Sequence, residues 1–139
     1  MIGDANNCFS TDQAVTATAL SENVIDCGVV KDLLGAGNPL FIVVTCVAAM
    51  TDDISNTTLA VTLETDSTAA LDSAVVLATI GTFAAVSPIG TQLVYAIPPG
   101  LAWQQFCGLR YTVANGNLTT GTFTAEIVAD VQTNNANKP

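Results

Sequence analysis

The sequence predicts an all-β chain: a single-domain, two-sheet β-sandwich of the jelly-roll type, preceded by an extended N-terminal arm. Three observations predict it. The 139 residues include 15 Val, 8 Ile and 19 Thr, and such stiff, β-branched side chains fit a pleated surface. Several segments alternate apolar and polar residues with period two, the signature of a half-buried strand. Gly, Pro and Asn breakers recur at the spacing of sandwich turns.

Taken in order, residues 1–13 are polar and aperiodic, which predicts an arm with one bulky anchor, Phe9. Residues 14–20 read AVTATAL, small apolar residues alternating with Thr, and predict the first strand of a domain spanning 14–131. Ser21-Glu22-Asn23 breaks it, and 24–26 allow a short strand. Leu34-Gly35-Ala36-Gly37-Asn38-Pro39 is a turn, because glycine opens unusual backbone angles and proline stops pairing. Residues 40–49 follow as a strand, and Phe41-Ile42-Val43-Val44 makes it apolar on both faces, as a central strand covered on two sides should be. Residues 50–56 predict a polar loop holding Asp52 and Asp53.

In 57–65, Leu59, Val61 and Leu63 point one way and Thr58, Ala60, Thr62 and Glu64 the other. A turn at 66–72 leads to a strand at 74–80, and 81–91 is mixed, with Pro88 and Gly90 as breakers. Residues 92–97 predict a strand closed by Pro98-Pro99-Gly100. Residues 103–113 set Cys107, Leu109, Tyr111 and Val113 on one side, and Asn115-Gly116 supplies the loop before the last strand, 121–131. Residues 132–139 are a polar tail. No segment predicts a full helix, and pattern alone does not fix the strand order.

Half of the residues are hydrophobic but only 11% are charged, against about a quarter in ordinary domains. A surface of Thr, Ala and Ser suits contact with other proteins, since Lys and Glu are costly to bury and are depleted at interfaces. Net charge is −9, with Lys31, Arg110 and Lys138 as the only bases. Nucleic-acid binding depends on clustered Lys and Arg, so it is not expected, and neither is an anionic membrane surface. The longest strongly apolar stretch, 40–50, is about half of what a spanning helix needs, roughly 20 residues. The N-terminus lacks the basic-then-apolar layout of a secretory signal.

The cysteines, at 8, 27, 46 and 107, have no C-x₂₋₄-C spacing and no His to complete a zinc site. They are expected to be small, largely buried hydrophobes in a reducing cytosol, with disulfides as the alternative. The absence of His removes the commonest general base and every triad built on it. The adjacent pair Asp52-Asp53 raises a calcium site, and the pairs Glu64/Asp66 and Glu126/Asp130 raise glycosidase chemistry. Solvated acids explain all three pairs more simply. The chain is therefore expected to be non-enzymatic, with no metal and no cofactor. Candidate partner contacts are Phe9, Asp52, Asp53, Trp103 and Phe106. Trp103 reads equally as a lid over the sandwich end or as an interface anchor.

Several segments, in order, resemble a known family. They are Asp4 to Asn7; Phe9-Ser10-Thr11-Asp12-Gln13-Ala14-Val15-Thr16-Ala17-Thr18-Ala19; Asn23-Val24-Ile25-Asp26; and Asp32 with Gly35 to Leu40. Further on come Leu59-Ala60-Val61-Thr62-Leu63-Glu64-Thr65, Pro98-Pro99-Gly100, Leu109-Arg110-Tyr111-Thr112-Val113 and Thr120-Gly121-Thr122-Phe123-Thr124-Ala125. From about Asp4 to Val131 the chain resembles the capsid cement proteins of tailed phages, of the Bordetella-phage type. The resemblance implies a jelly-roll-like domain on the outside of a head built from HK97-type major capsid protein. It also implies a homodimer or homotrimer that bridges neighbouring capsomers, made in the host cytoplasm and carried on the virion. The chain departs from the family at Cys27, where an apolar Leu is expected, and at Gln104-Gln105, where relatives often carry bases. A phage adhesin or other binding module, and a small glycan-acting enzyme, are the competing readings.

Overall fold

Period-two burial organises the molecule as the alternation predicts. The computed structural model describes residues 5–28, 37–54 and 56–131. Leu59, Val61 and Leu63 are all fully buried on one face of a strand. On the neighbouring strand Cys107, Leu109 and Tyr111 are buried in the same way.

Among the described residues a 3₁₀ turn, Ala5–Asn7, precedes nine strands. They are β1 (Cys8–Ala14), β2 (Ala19–Leu20), β3 (Ile25–Asp26), β4 (Leu40–Asp52), β5 (Thr58–Asp66), β6 (Val75–Phe83), β7 (Gln92–Ile97), β8 (Phe106–Ala114) and β9 (Leu118–Val128). One sheet has the order β1-β9-β4-β7; the other has β2-β8-β5-β6, with β3 also paired to β8. All pairings are antiparallel. With β3 set aside as an appendage of β8, the eight remaining strands interleave as two Greek keys wound into a jelly roll.

Strand β4 sits inside its sheet, between β9 and β7. Ile42, Val44 and Cys46 enter the shared core, and Val43, facing the other way, is fully buried too. That matches the expectation of a strand covered on both sides. The core runs between the sheets and centres on aromatics. Phe123 on β9 lies 5.0 Å, ring to ring, from Phe83 on β6 and 6.0 Å from Tyr111 on β8.

Several sequence expectations need correction. Residues 8–13 are not an arm, because Cys8–Ala14 is β1, paired with β9 from Cys8↔Glu126 to Ala14↔Thr122. Two of its polar residues, Ser10 and Gln13, are buried yet bonded. The Ser10 hydroxyl donates to Gln13 Oε1 at 2.6 Å and lies 3.0 Å from the Tyr111 hydroxyl, while Gln13 Nε2 donates to the Leu20 carbonyl at 2.8 Å. Such a satisfied network lets polar side chains occupy a core. Residues 14–20 are not one strand, because here the chain passes from one sheet to the other: Val15 N–H donates to the Gly121 carbonyl, and pairing resumes only at Ala19–Leu20. The expected loop at 50–56 is shorter, since β4 continues to Asp52. The last strand covers 118–128 instead of 121–131. The expected tail, 132–139, lies outside the described residues, as do 29–36 of the stretch before β4.

Leu71 adopts φ 53°, a left-handed conformation rare for a bulky residue. Its side chain is only 2% exposed, and a Cβ added to Gly108 on β8 would sit 2.6 Å from Leu71 Cδ1. Glycine at 108 therefore makes room for Leu71. We expect Gly108→Ala to cost about 1–3 kcal/mol through overpacking, read as a lower denaturant midpoint; an unchanged midpoint would refute the contact.

Burial pushes the Tyr111 hydroxyl up to about 12, with the charges of Cys8 and Glu22 adding and the Ser10 hydrogen bond opposing. A pKa raised by folding stabilises the protein fully below the unfolded value, about 10, and the contribution is lost as pH rises through the folded value. Stability should therefore fall between about pH 10 and about pH 12. In Tyr111→Phe this alkaline slope should flatten, which urea titrations at stepped pH would show.

Candidate interaction surface

The structure does not bring the five sequence-predicted contact residues together. Phe9 is 0% exposed and Trp103 2%; both belong to the chain's own core. Neither is available to a partner, and Trp103 takes the role of lid. Its Nε1 is buried without a hydrogen-bond partner. Phe106 is half-buried at the start of β8, where its carbonyl accepts the Thr65 hydroxyl at 2.7 Å. Asp52 and Asp53 lie at the opposite end of the sandwich, because β4 ends there against the start of β9.

The acids are engaged in local architecture. Asp52 Oδ2 accepts the Thr57 N–H at 2.9 Å, closing the β4–β5 turn. Asp53 is exposed and accepts from the Asn117 backbone N–H and side-chain Nδ2 at 3.4 and 3.5 Å. Asp66 Oδ2 accepts the Ser73 N–H at 2.9 Å, and its Oδ1 takes those of Ser67 and Thr68, so backbone donors hold its carboxyl below the usual range. Glu64 receives Arg110 Nε at 2.8 and 2.9 Å, and the pairing pushes the guanidinium up. Glu126 lies on β9, whereas Asp130 lies beyond the end of that strand. Among the described residues no group of three or more His, Cys, Asp or Glu is placed to hold a metal ion. A groove beside β3, lined by residues including Ala5, Asn23 and Ile25, holds one carboxylate, Asp26, whose Oδ1 accepts the Gly28 N–H.

Exposed apolar side chains are confined. Six large ones are exposed among the described residues: Ile54, Val75, Val76, Val86, Ile89 and Val94. Five of them lie on β6, on β7 or in the loop that joins these strands. Among the described residues both strands are sheet edges, so each has one row of backbone N–H and C=O groups not taken up by a described neighbouring strand. The two edges come together on one flank: a Cβ at Gly81 of β6 would lie 3.0 Å from Leu93 Cδ2 of β7. From Ser73 to Leu109 the chain has no charged residue at all. Edge strands usually carry charges that repel stray partners, and β6, β7 and the loop between them carry none.

The loops 53–57, 84–91 and 115–117 meet at one end of the sandwich, as the pairings Asp52↔Leu118, Thr58↔Ala114 and Leu59↔Phe83 require. That end presents Ile54, 58% exposed, Val86, 66%, and Ile89, 69%, beside Asp53. Sequence reasoning missed both surfaces. The uncharged run was a usable signal, but its meaning depends on β6 and β7 being edges.

Compared with known proteins, residues 9–127 match the family model described as Bbp16. No curated protein matches the chain.

Proposed function

Because this chain belongs to the Bbp16 family, whose name is that of a Bordetella phage protein, we propose that it is a capsid cement protein. It is a non-enzymatic component of the virion that binds the outside of the head as a homo-oligomer and holds neighbouring capsomers together. The observation that carries this reading is the uncharged β6–β7 flank with its exposed valines and two free strand edges. Two copies of a chain at net charge −9 repel wherever carboxylates meet. The β6–β7 flank is where they approach without that repulsion, so it is the self-association surface. The loop end with Ile54, Val86 and Ile89 then serves the major capsid protein.

The energetics favour such a division. A protein that binds only the assembled lattice adds its binding free energy to the intact shell. An oligomer with one shell-binding end per subunit bridges two capsomers, and its second attachment profits from a high effective concentration. Each contact is allowed to be modest.

The test is to measure the solution mass of the purified protein and then mix it with expanded, DNA-free heads of its phage. Oligomers that co-sediment with heads at a fixed ratio, and raise the temperature at which heads come apart, support the reading. Monomers that ignore heads refute it, and attachment to host cells instead would mark an adhesin.

A further inference from the structure

Cys27 and Cys107 stand with their sulfurs 3.4 Å apart. Cys107, on β8, is fully buried. Cys27 follows β3 directly and is half-exposed. Its backbone N–H donates to the Gln105 carbonyl at 2.6 Å, and Ile25 pairs with Cys107, so the segment is held alongside β8. We infer that these two thiols are an oxidation site and form an intramolecular disulfide that fastens β3 to β8.

An S–S bond is about 2.05 Å long, so the sulfurs need to close by little over an ångström. The movable side is Cys27. The strand before it has two residues, and the chain turns immediately afterwards at Gly28, with φ 82°. Cys8 and Cys46 have other neighbours: the first lies against Thr11 and the Ser10 carbonyl, the second against the Ala48 and Ser87 carbonyls.

The chemistry is thiol–disulfide exchange with a small-molecule disulfide such as oxidised glutathione. The Cys27 thiolate attacks one sulfur of the reagent and expels a thiolate, leaving a mixed disulfide on Cys27. Cys107 then loses its proton to solvent and attacks Cys27 Sγ, expelling the second thiolate. Two protein thiols become one disulfide, and the reagent is reduced to two thiols, which take up the two protons. The order follows from the surroundings. Cys27 is half-exposed and open to the reagent, whereas Cys107 is fully buried, and the hydrogen bond to Cys27 and burial push the Cys107 thiol up.

The inference rests on the cement reading only for its setting: a virion leaves a reducing cytoplasm for an oxidising medium at lysis, where disulfides persist. The chemistry is tested apart from heads. Purified protein is equilibrated with oxidised glutathione, its thiols are counted, and its peptides are mapped without reduction. The expected result is a fall from four thiols to two, with one Cys27–Cys107 linked peptide and no covalent dimer. The thermal midpoint should rise by several degrees, reversed by a reductant. Cys27→Ser should keep three thiols and show no rise. Four persisting thiols, a stable glutathione adduct on Cys27, or cross-linked chains would overturn the inference. Head attachment of Cys27→Ser, measured separately, reports on the cement reading alone.

Discussion

Phe123→Ala should lower the stability of the domain by about 3–5 kcal/mol, the range for emptying a large aromatic site in a core. Phe123 is fully buried on β9, in one sheet, and its ring packs on Phe83 and Tyr111 of the other. It therefore fills the gap between the layers, where the neighbouring side chains have little freedom to collapse inward. Against a total of about 5–15 kcal/mol for a natural domain, the loss is a large fraction. A urea titration should show the midpoint falling with the slope kept, which separates lost stability from a changed unfolded state. Phe123→Leu, which keeps most of the volume, should cost much less. If Phe123→Ala costs less than about 1 kcal/mol, the two-sheet core described above is wrong.

That core was largely legible beforehand, and it is clear why. Leu59, Val61 and Leu63 announced β5 because each alternate residue there is apolar and buried. Residues 92–97 matched β7 at both ends because Pro98-Pro99 stops the strand. Strand β1 was hidden, because reading by period assumes that polar residues face water. Ser10 and Gln13 instead face inward and satisfy each other, with Tyr111 and the Leu20 carbonyl. The bulges between Cys8 and Gln13 shift the register as well. Phe9 reads as the anchor of an arm, for its own domain or for a neighbour, because the polar residues around it read as exposed.

Strand order was beyond a local reading. Joining Cys8 to Glu126 closes nearly the whole chain, and no short pattern encodes which distant partner an edge will take. The same distance hid the exposed apolar surfaces. Val75, Val76 and Val94 lie in apolar strand segments that read as core, and only the sheet order makes them residues of edge strands. Asp52 and Asp53 were noticed as an acidic pair, yet their geometry is that of turn closure. The thiol pair shares this character: Cys27 and Cys107 are 80 positions apart, and only folding brings their sulfurs together.

If the β6–β7 flank is the self-association surface proposed above, Val94→Lys should abolish self-association while leaving the fold intact. Val94 is 45% exposed at the centre of the edge strand β7, opposite Val43 of β4. A lysine stem lies over Val43 much as the valine does and leaves its ammonium in water, so stability should stay within about 0.5 kcal/mol. A partner strand meets a different situation. In a symmetric contact the two new lysines face each other across the interface, and lysine on an edge is a device natural sheets use to prevent pairing. The solution mass should fall to that of one chain. Loss of bivalent attachment should weaken head binding by about a hundredfold, within the usual gain from avidity. Val94→Thr, neutral and β-branched, should keep the oligomer. Ile54→Lys, at the loop end, should give the converse: an intact oligomer that binds heads poorly. If Val94→Lys remains oligomeric and Ile54→Lys becomes monomeric, the assignment of the two surfaces is reversed. If both variants assemble and attach normally, neither surface is an interface.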